Sequence, residues 1–198
     1  MTPHSIDARL LCATWLALLG TLMSGCAEMP MNPPQPTIEN AARLRGVSGA
    51  IRAVTVGRFA LDESKPASMD RGVSIRSNMV RSPVNDSLAQ YLRETLRVEL
   101  QSAGLLDVHS DVVITGTLID SSVEAPVGVG RAVLEACFVV THSGVVHYER
   151  TLRVESTWDS PFIGVSAIPQ AAGQYEALYR KLIGMLLEDS TFRAAVAR

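Results

Sequence analysis

Charge of one sign is what this chain most plainly lacks: 18 lysines and arginines face 20 aspartates and glutamates, for a formal net charge of −2. No broad positive field draws the protein to phosphate backbones, so nucleic-acid binding has no electrostatic basis. Histidine is scarce too, and the four present show no close ligand spacing with one another or with Cys137, which leaves no metal constellation. Gly128-Val129-Gly130 lacks the third glycine and following helix of a dinucleotide fingerprint and reads as a turn. Ser121 or Ser122 could be grouped with His109, His142 or His147 and an aspartate as a hydrolase set, yet no serine sits in a nucleophile-elbow pattern. The expectation is therefore no enzyme, with no catalytic residue, cofactor or metal. Three widely separated cysteines offer no disulfide framework, and no basic or aromatic cluster selects a lipid or glycan ligand.

What is present begins with a leader. Arg9 and the terminal amine are followed by an uncharged run, Leu10 to Met23, and then by the small residues Ser24 and Gly25 before Cys26. A bilayer-spanning helix needs about 20 apolar residues. This stretch is shorter and has the n-region and h-region of a cleaved export signal.

The tetrad Met23-Ser24-Gly25-Cys26 resembles the lipobox of bacterial lipoproteins, with Met23 where leucine is usual and Leu22 just before it. The resemblance implies cleavage before Cys26 and acylation of its sulfur, palmitate among the chains. A competing site for ordinary signal peptidase near Ala27 would leave Cys26 an incidental thiol. Each buried methylene contributes about 0.8 kcal/mol and two or more chains anchor stably, so a triacylated Cys26 would hold the protein at the membrane. Ala27, where an aspartate would retain an enterobacterial lipoprotein at the inner membrane, favours the periplasmic leaflet of the outer membrane. With Cys26 acylated and Cys12 removed, Cys137 is a half-buried packing residue without a partner.

Three regions follow: residues 1–25 as signal, 26–46 as lipidated cysteine and tether, and 47–198 as a single α+β domain. Pro30, Pro33, Pro34 and Pro36 mark the tether as a semi-rigid spacer that joins no sheet, able to lift the domain by at most roughly 60 Å. Ala50 to Leu61 reads as a first strand and Val73 to Val80 as a short second one. Leu88, Leu92, Leu96 and Leu100 predict a helix over 86–103, ended by Gly104, with Arg93, Glu94, Arg97, Glu99 and Gln101 on a solvated face. Asp111 to Asp120 is a strand in which Gly116 marks a bulge or a close crossing, and a loop follows. Gln170 to Glu188 is a second amphipathic helix.

The clearest element is a hairpin of Arg131–Thr141 and Val145–Trp158, in which Ala132, Leu134, Ala136, Phe138 and Val140 of one run and Val146, Tyr148, Leu152 and Val154 of the other form an even-numbered apolar set. A three-residue loop pairs Thr141 with Val145, Phe138 with Tyr148, Leu134 with Leu152 and Arg131 with Glu155. Arg150 then falls on the apolar side opposite Ala136, where a sheet margin would let its stem pack and its head reach water.

Together these elements predict a mostly antiparallel sheet of four to five strands with both amphipathic helices on one face. The order of parts resembles the YajG-type family of uncharacterised bacterial lipoproteins, through Cys26, the helix Ser87-Leu88-Ala89-Gln90-Tyr91-Leu92-Arg93-Glu94-Thr95-Leu96 with Gly104-Leu105, and the end Leu186-Leu187-Glu188-Asp189-Ser190-Thr191-Phe192. That resemblance implies a lipid-anchored envelope protein and adds no catalytic residue. The functional reading is a non-catalytic accessory or binding module, partnered by the membrane and by an unknown envelope protein or lipid, the latter in a groove between helices and sheet. An auxiliary subunit of an ABC-type lipid-transport system is the alternative.

Overall fold

The computed structural model describes residues 28–45 and 51–197; the leader, Met23, Ser24, Gly25 and Cys26 lie outside the described residues. In chain order the elements are β1 (Glu28–Pro30), α1 (Ile38–Arg45), β2 (Thr55–Leu61), α2 (Ser68–Arg71), β3 (Val73–Ile75), β4 (Asn78–Arg81), α3 (Leu88–Ser102), β5 (Val112–Glu124), β6 (Gly128–His142), β7 (Val145–Ser160), α4 (Gly164–Glu188) and α5 (Ser190–Ala195). The α+β class stands. The expected single, mostly antiparallel sheet does not: there are two mixed sheets, β2-β5-β6-β7 and β1-β4-β3, each with one parallel pair. The parallel pairing of β2 with β5 follows from α3 lying between them in the chain, since a parallel neighbour needs a crossover and a helix supplies it.

The α3 helix forms as its leucines predict. Leu88, Leu92, Leu96 and Leu100 are all buried. Ser87 caps the start by accepting from Gln90 N–H at 3.1 Å, and Gly104, at φ 69°, ends it in the left-handed region. The outer face is less solvated than expected. Glu94 and Arg97 do pair across one turn at 2.6 Å, but Arg93 donates to the Gly57 and Val56 carbonyls and Glu99 is fully buried. Helix α4 starts at Gly164, six residues before the expected Gln170, and carries Pro169 inside its second turn.

Two bulges explain why the strands run differently from their alternation. In β5 the register shifts between Leu118 and Asp120, so Val112, Ile114 and Leu118 are buried before it, and Ser121 and Val123 after it. The inward parity flips, and the strand continues to Glu124 although its pattern breaks at Asp120. Gly128-Val129-Gly130 is accordingly the start of β6 and not a loop. In β2 the shift between Val56 and Phe59 turns both residues inward, and the Phe59 ring crosses β5 over Gly116, the close approach that Gly116 foretold.

The hairpin keeps its even inward face, but its register is displaced by two. Ser143 and Gly144, at φ 46° and 85°, make a two-residue turn that pairs His142 with Val145, and a bulge between Val140 and Thr141 restores the parity. Val140 thus faces Tyr148, Phe138 faces Arg150, Ala136 faces Leu152 and Leu134 faces Val154. Arg131 faces Thr157 and still reaches Glu155 diagonally at 2.5 Å.

Both long helices cover the inward face, α3 against β2 and β5 and α4 against β6 and β7. The space between them and the sheet is filled by Phe59, Phe138, Tyr175 and Tyr179, so the expected ligand groove there is closed. Ser121, Tyr175 and Tyr179 join hydroxyls in a buried chain, which satisfies polar atoms that the apolar surroundings would otherwise penalise. Burial pushes both tyrosines up from their ordinary pKa. A side chain at 116 would overlap the Phe59 ring, so Gly116→Ala is expected to lower unfolding free energy by about 1–3 kcal/mol in urea titrations. An unchanged midpoint would show that Phe59 can move aside freely.

Candidate functional site: the seated N-terminal arm

The segment read as a spacer belongs to the fold. Glu28–Pro30 adds a parallel strand to β4 in the register Glu28 to Met79, Met29 to Val80 and Pro30 to Arg81. Met31 N–H continues the ladder to Arg81 O at 2.8 Å. Proline is tolerated because β1 is the edge strand of its sheet. All four prolines lie before the helix that follows, where none interrupts its hydrogen bonds.

That helix, α1, is capped by Thr37, whose hydroxyl accepts from Asn40 N–H at 3.1 Å. It lies across α3 and α4, and it buries Leu44 and Asn40. Close approach to α4 depends on Gly184: a Cβ there would stand 2.9 Å from Asn40 Oδ1.

Two carboxyl groups from the long helices hold the arm. Glu99 Oε1 accepts from Thr37 N–H at 3.0 Å, Thr37 Oγ1 at 3.0 Å and Asn40 Nδ2 at 2.9 Å. Glu176 accepts from Asn32 N–H at 2.9 Å and from Asn32 Nδ2 at 3.0 Å. Tyr91 donates to Asn32 O at 2.8 Å, and its own pKa is pushed up to about 12, by burial first and by the nearby Glu176 second. Arg43 closes the set on Glu188 at 2.5 Å. Sequence reasoning placed Glu99 in solvent and missed this arrangement. The available signal was Thr37-Ile38-Glu39-Asn40, a capping residue opening a short helix-forming run, which the density of prolines before it obscures.

The other singled-out residues do not converge. Val112 pairs with His142 while Ser121 pairs with Leu134, nine residues along β5, or about 30 Å. His142 bonds the Ala195 carbonyl at 2.6 Å and stacks on His147 at 4.3 Å. No serine and histidine of the hydrolase set are brought together there. Cys137 is a half-buried free thiol. Arg150 sits at the sheet margin with its head exposed, 2.9 Å from Asp189 Oδ2. Asp189 also caps α5 and accepts from Tyr148 Oη at 3.0 Å. Burial alone would raise the Asp189 pKa, but the bonds from Arg150, the Thr191 N–H and Tyr148 outweigh it and hold the carboxyl below its ordinary value. Among the described residues no cluster of three or more histidines, cysteines or carboxylates could hold a metal, and no helix is long and apolar enough to cross a membrane.

No family model and no curated protein matches the chain. Solved structures that resemble it include a Xanthomonas campestris protein of the family model DUF330, at 14% identity over 81% of this chain and 91% of that one, with a TM-score of 0.49. A minor lipoprotein from Acinetobacter baumannii is 15% identical over 74% and 95%, at 0.39. Rare lipoprotein B from Shewanella oneidensis is 13% identical over 67% and 89%, also at 0.39. Likeness at this level transfers no function, and these comparisons do not confirm the YajG-type assignment.

Two outcomes follow from the geometry. Glu99→Leu takes the acceptor from the half-buried Thr37 N–H and hydroxyl and from one N–H of the buried Asn40 amide, whose other N–H keeps the Arg180 carbonyl; a buried donor left unpaired costs about 1–3 kcal/mol. Hydrogen exchange at residues 31–45 is expected to accelerate in that variant while β5 to β7 stay protected; unchanged exchange would mean that the arm is held by packing alone. Because the Asp189 pKa is lowered on folding, its contribution to stability is present above the ordinary carboxylate range and is lost from about pH 4 downward. Urea midpoints of Asp189→Asn are therefore expected to fall less between neutral and acid pH than those of the parent, and parallel falls would contradict the coupling.

Proposed function

We propose that this chain is a non-catalytic accessory or binding module of the bacterial cell envelope, exported by residues 1–25 and anchored through acyl chains on Cys26. The observation that carries this reading is the leader ending in Met23-Ser24-Gly25-Cys26, followed after one residue, Ala27, by an arm seated on the folded body. A lipid on Cys26 would then lie beside the body with no long spacer between them. The Ala27 position supports the outer membrane as destination, and the YajG-type resemblance agrees with it.

The body suits such a role chemically. Its inward space is packed, Ser121 and His142 lie at different ends of the β5–β6 pairing, and its outer sheet face carries exposed ion pairs such as Arg131 with Glu155 and Arg153 with Glu135. Recognition on such a body falls to its surface rather than to an internal cavity.

Cys26→Ala is expected to abolish labelling by a palmitate analogue in cells and to move the protein from the membrane fraction to the soluble one. Labelling that survives this substitution would refute the site.

A further inference from the structure

One end of the four-stranded sheet finishes in two uncharged loops. No charged residue lies between Glu124 and Arg131 at the β5–β6 turn, and none between Asp159 and Glu176 where β7 passes into α4. Exposed here are Val127 at 61%, Phe162 at 79% and Ile163 at 61% in the loops, Val129 at 64% at the start of β6 and Val165 at 83% in the first turn of α4. Single exposed apolar residues need no explanation, whereas a group of them at one end of a molecule marks a contact surface. The strand register places the loops side by side, with Gly128 opposite Ser160 and Val129 opposite Asp159.

Arg76 ties the two loops together. From the β3–β4 turn its guanidinium donates to Ala125 O at 2.8 Å, Phe162 O at 3.0 Å and Pro161 O at 2.6 Å. Carbonyls of both loops are thereby satisfied by a side chain that is itself exposed, so the apolar side chains can leave water without stranding these backbone groups. Trp158 lies across Gly130 at the same end, and among the described residues its indole N–H has no acceptor.

The N-terminal arm reaches this end too. Because β1 runs parallel to β4 and Glu28 pairs with Met79, the chain enters β1 from the side of the turn that bears Arg76. Cys26 precedes Glu28 by two residues, at most about 7 Å of chain.

We infer that the segments Val127–Val129 and Phe162–Val165 insert into the headgroup–acyl boundary of the same bilayer that holds the acyl chains of Cys26, and so fix which end of the body faces the membrane. This rests on Cys26 being lipidated. The anchor supplies the proximity, which turns loop insertion into an intramolecular step that needs little apolar area. Neither segment carries a charge, so apolar burial drives insertion, and the exposed Arg76 beside them adds an attraction to anionic headgroups that salt weakens.

The test uses the full chain processed in a Gram-negative host, with the acyl state of the N-terminus read by intact mass. Phe162→Trp and, as a control, Val145→Trp are reconstituted in phosphatidylethanolamine and phosphatidylglycerol vesicles, with or without lipids brominated high on the acyl chain. Val145 is also exposed, at 62%, but opens β7 at the opposite end of the hairpin, about 45 Å away. After subtraction of the parent emission, the indole at 162 is expected to lose about half its fluorescence or more to the brominated lipid, as an apolar group seated some 5–10 Å deep should, and the indole at 145 to lose little. Acylated protein whose indole at 162 is unquenched and emits as if in water overturns the docking and leaves the anchor standing. A blue-shifted but unquenched indole there also overturns it, and assigns the loops to a contact with a second copy. A mature chain without acyl groups on Cys26 refutes both the anchor and the docking that depends on it.

Discussion

The architecture turns on two carboxyl groups that the long helices direct at the N-terminal arm. Glu99 of α3 and Glu176 of α4 are 0% and 7% exposed, and each receives a backbone N–H and a side-chain amide from the N-terminal arm, Glu99 from Thr37 and Asn40 and Glu176 from Asn32. A buried carboxyl group without donors is costly, so the body requires the arm as much as the arm requires the body. Once Asn32 and Thr37 are fixed, β1 falls beside β4, α1 falls across α3 and α4, and the entry of the chain is set at one end of the molecule.

Much of this was legible in the sequence, and the failures have distinct causes. The α3 helix and the β6–β7 hairpin follow from leucines every four residues and from even-numbered apolar positions, signals that depend only on local periodicity. Where a bulge inserts one residue, the pattern misleads. The parity change after Leu118 ends the apparent strand at Asp120 while the real one continues to Glu124, and the two-residue turn at Ser143–Gly144 hides behind a compensating bulge near Val140. Sheet pairing was the least legible, because parallel pairing of β2 with β5 and β1 with β4 joins segments 50 or more residues apart and leaves no local mark. The arm was misread for a different reason. Proline density signals a spacer when prolines occupy every available site, but here Pro30 sits on an edge strand and Pro33, Pro34 and Pro36 precede a capped helix. Glu99 shows the same limit from the other side: helical spacing gives the face a residue occupies and cannot reveal that a distant segment will cover it.

For a chain anchored through Cys26, as proposed, these features decide how the body relates to the bilayer. A free spacer would let it tumble at a distance and sample every orientation. A seated arm removes most of that freedom and sets the uncharged loops beside the point of attachment. Val145, Val146 and the α3–β5 connection then lie at the opposite end.

Neutron reflectometry of the acylated protein on a supported bilayer tests the seated arm most directly. The account requires the protein layer to be continuous with the headgroup layer. A hydrated gap of several tens of ångströms between them, such as a free 20-residue polyproline spacer reaching at most roughly 60 Å could produce, would contradict it.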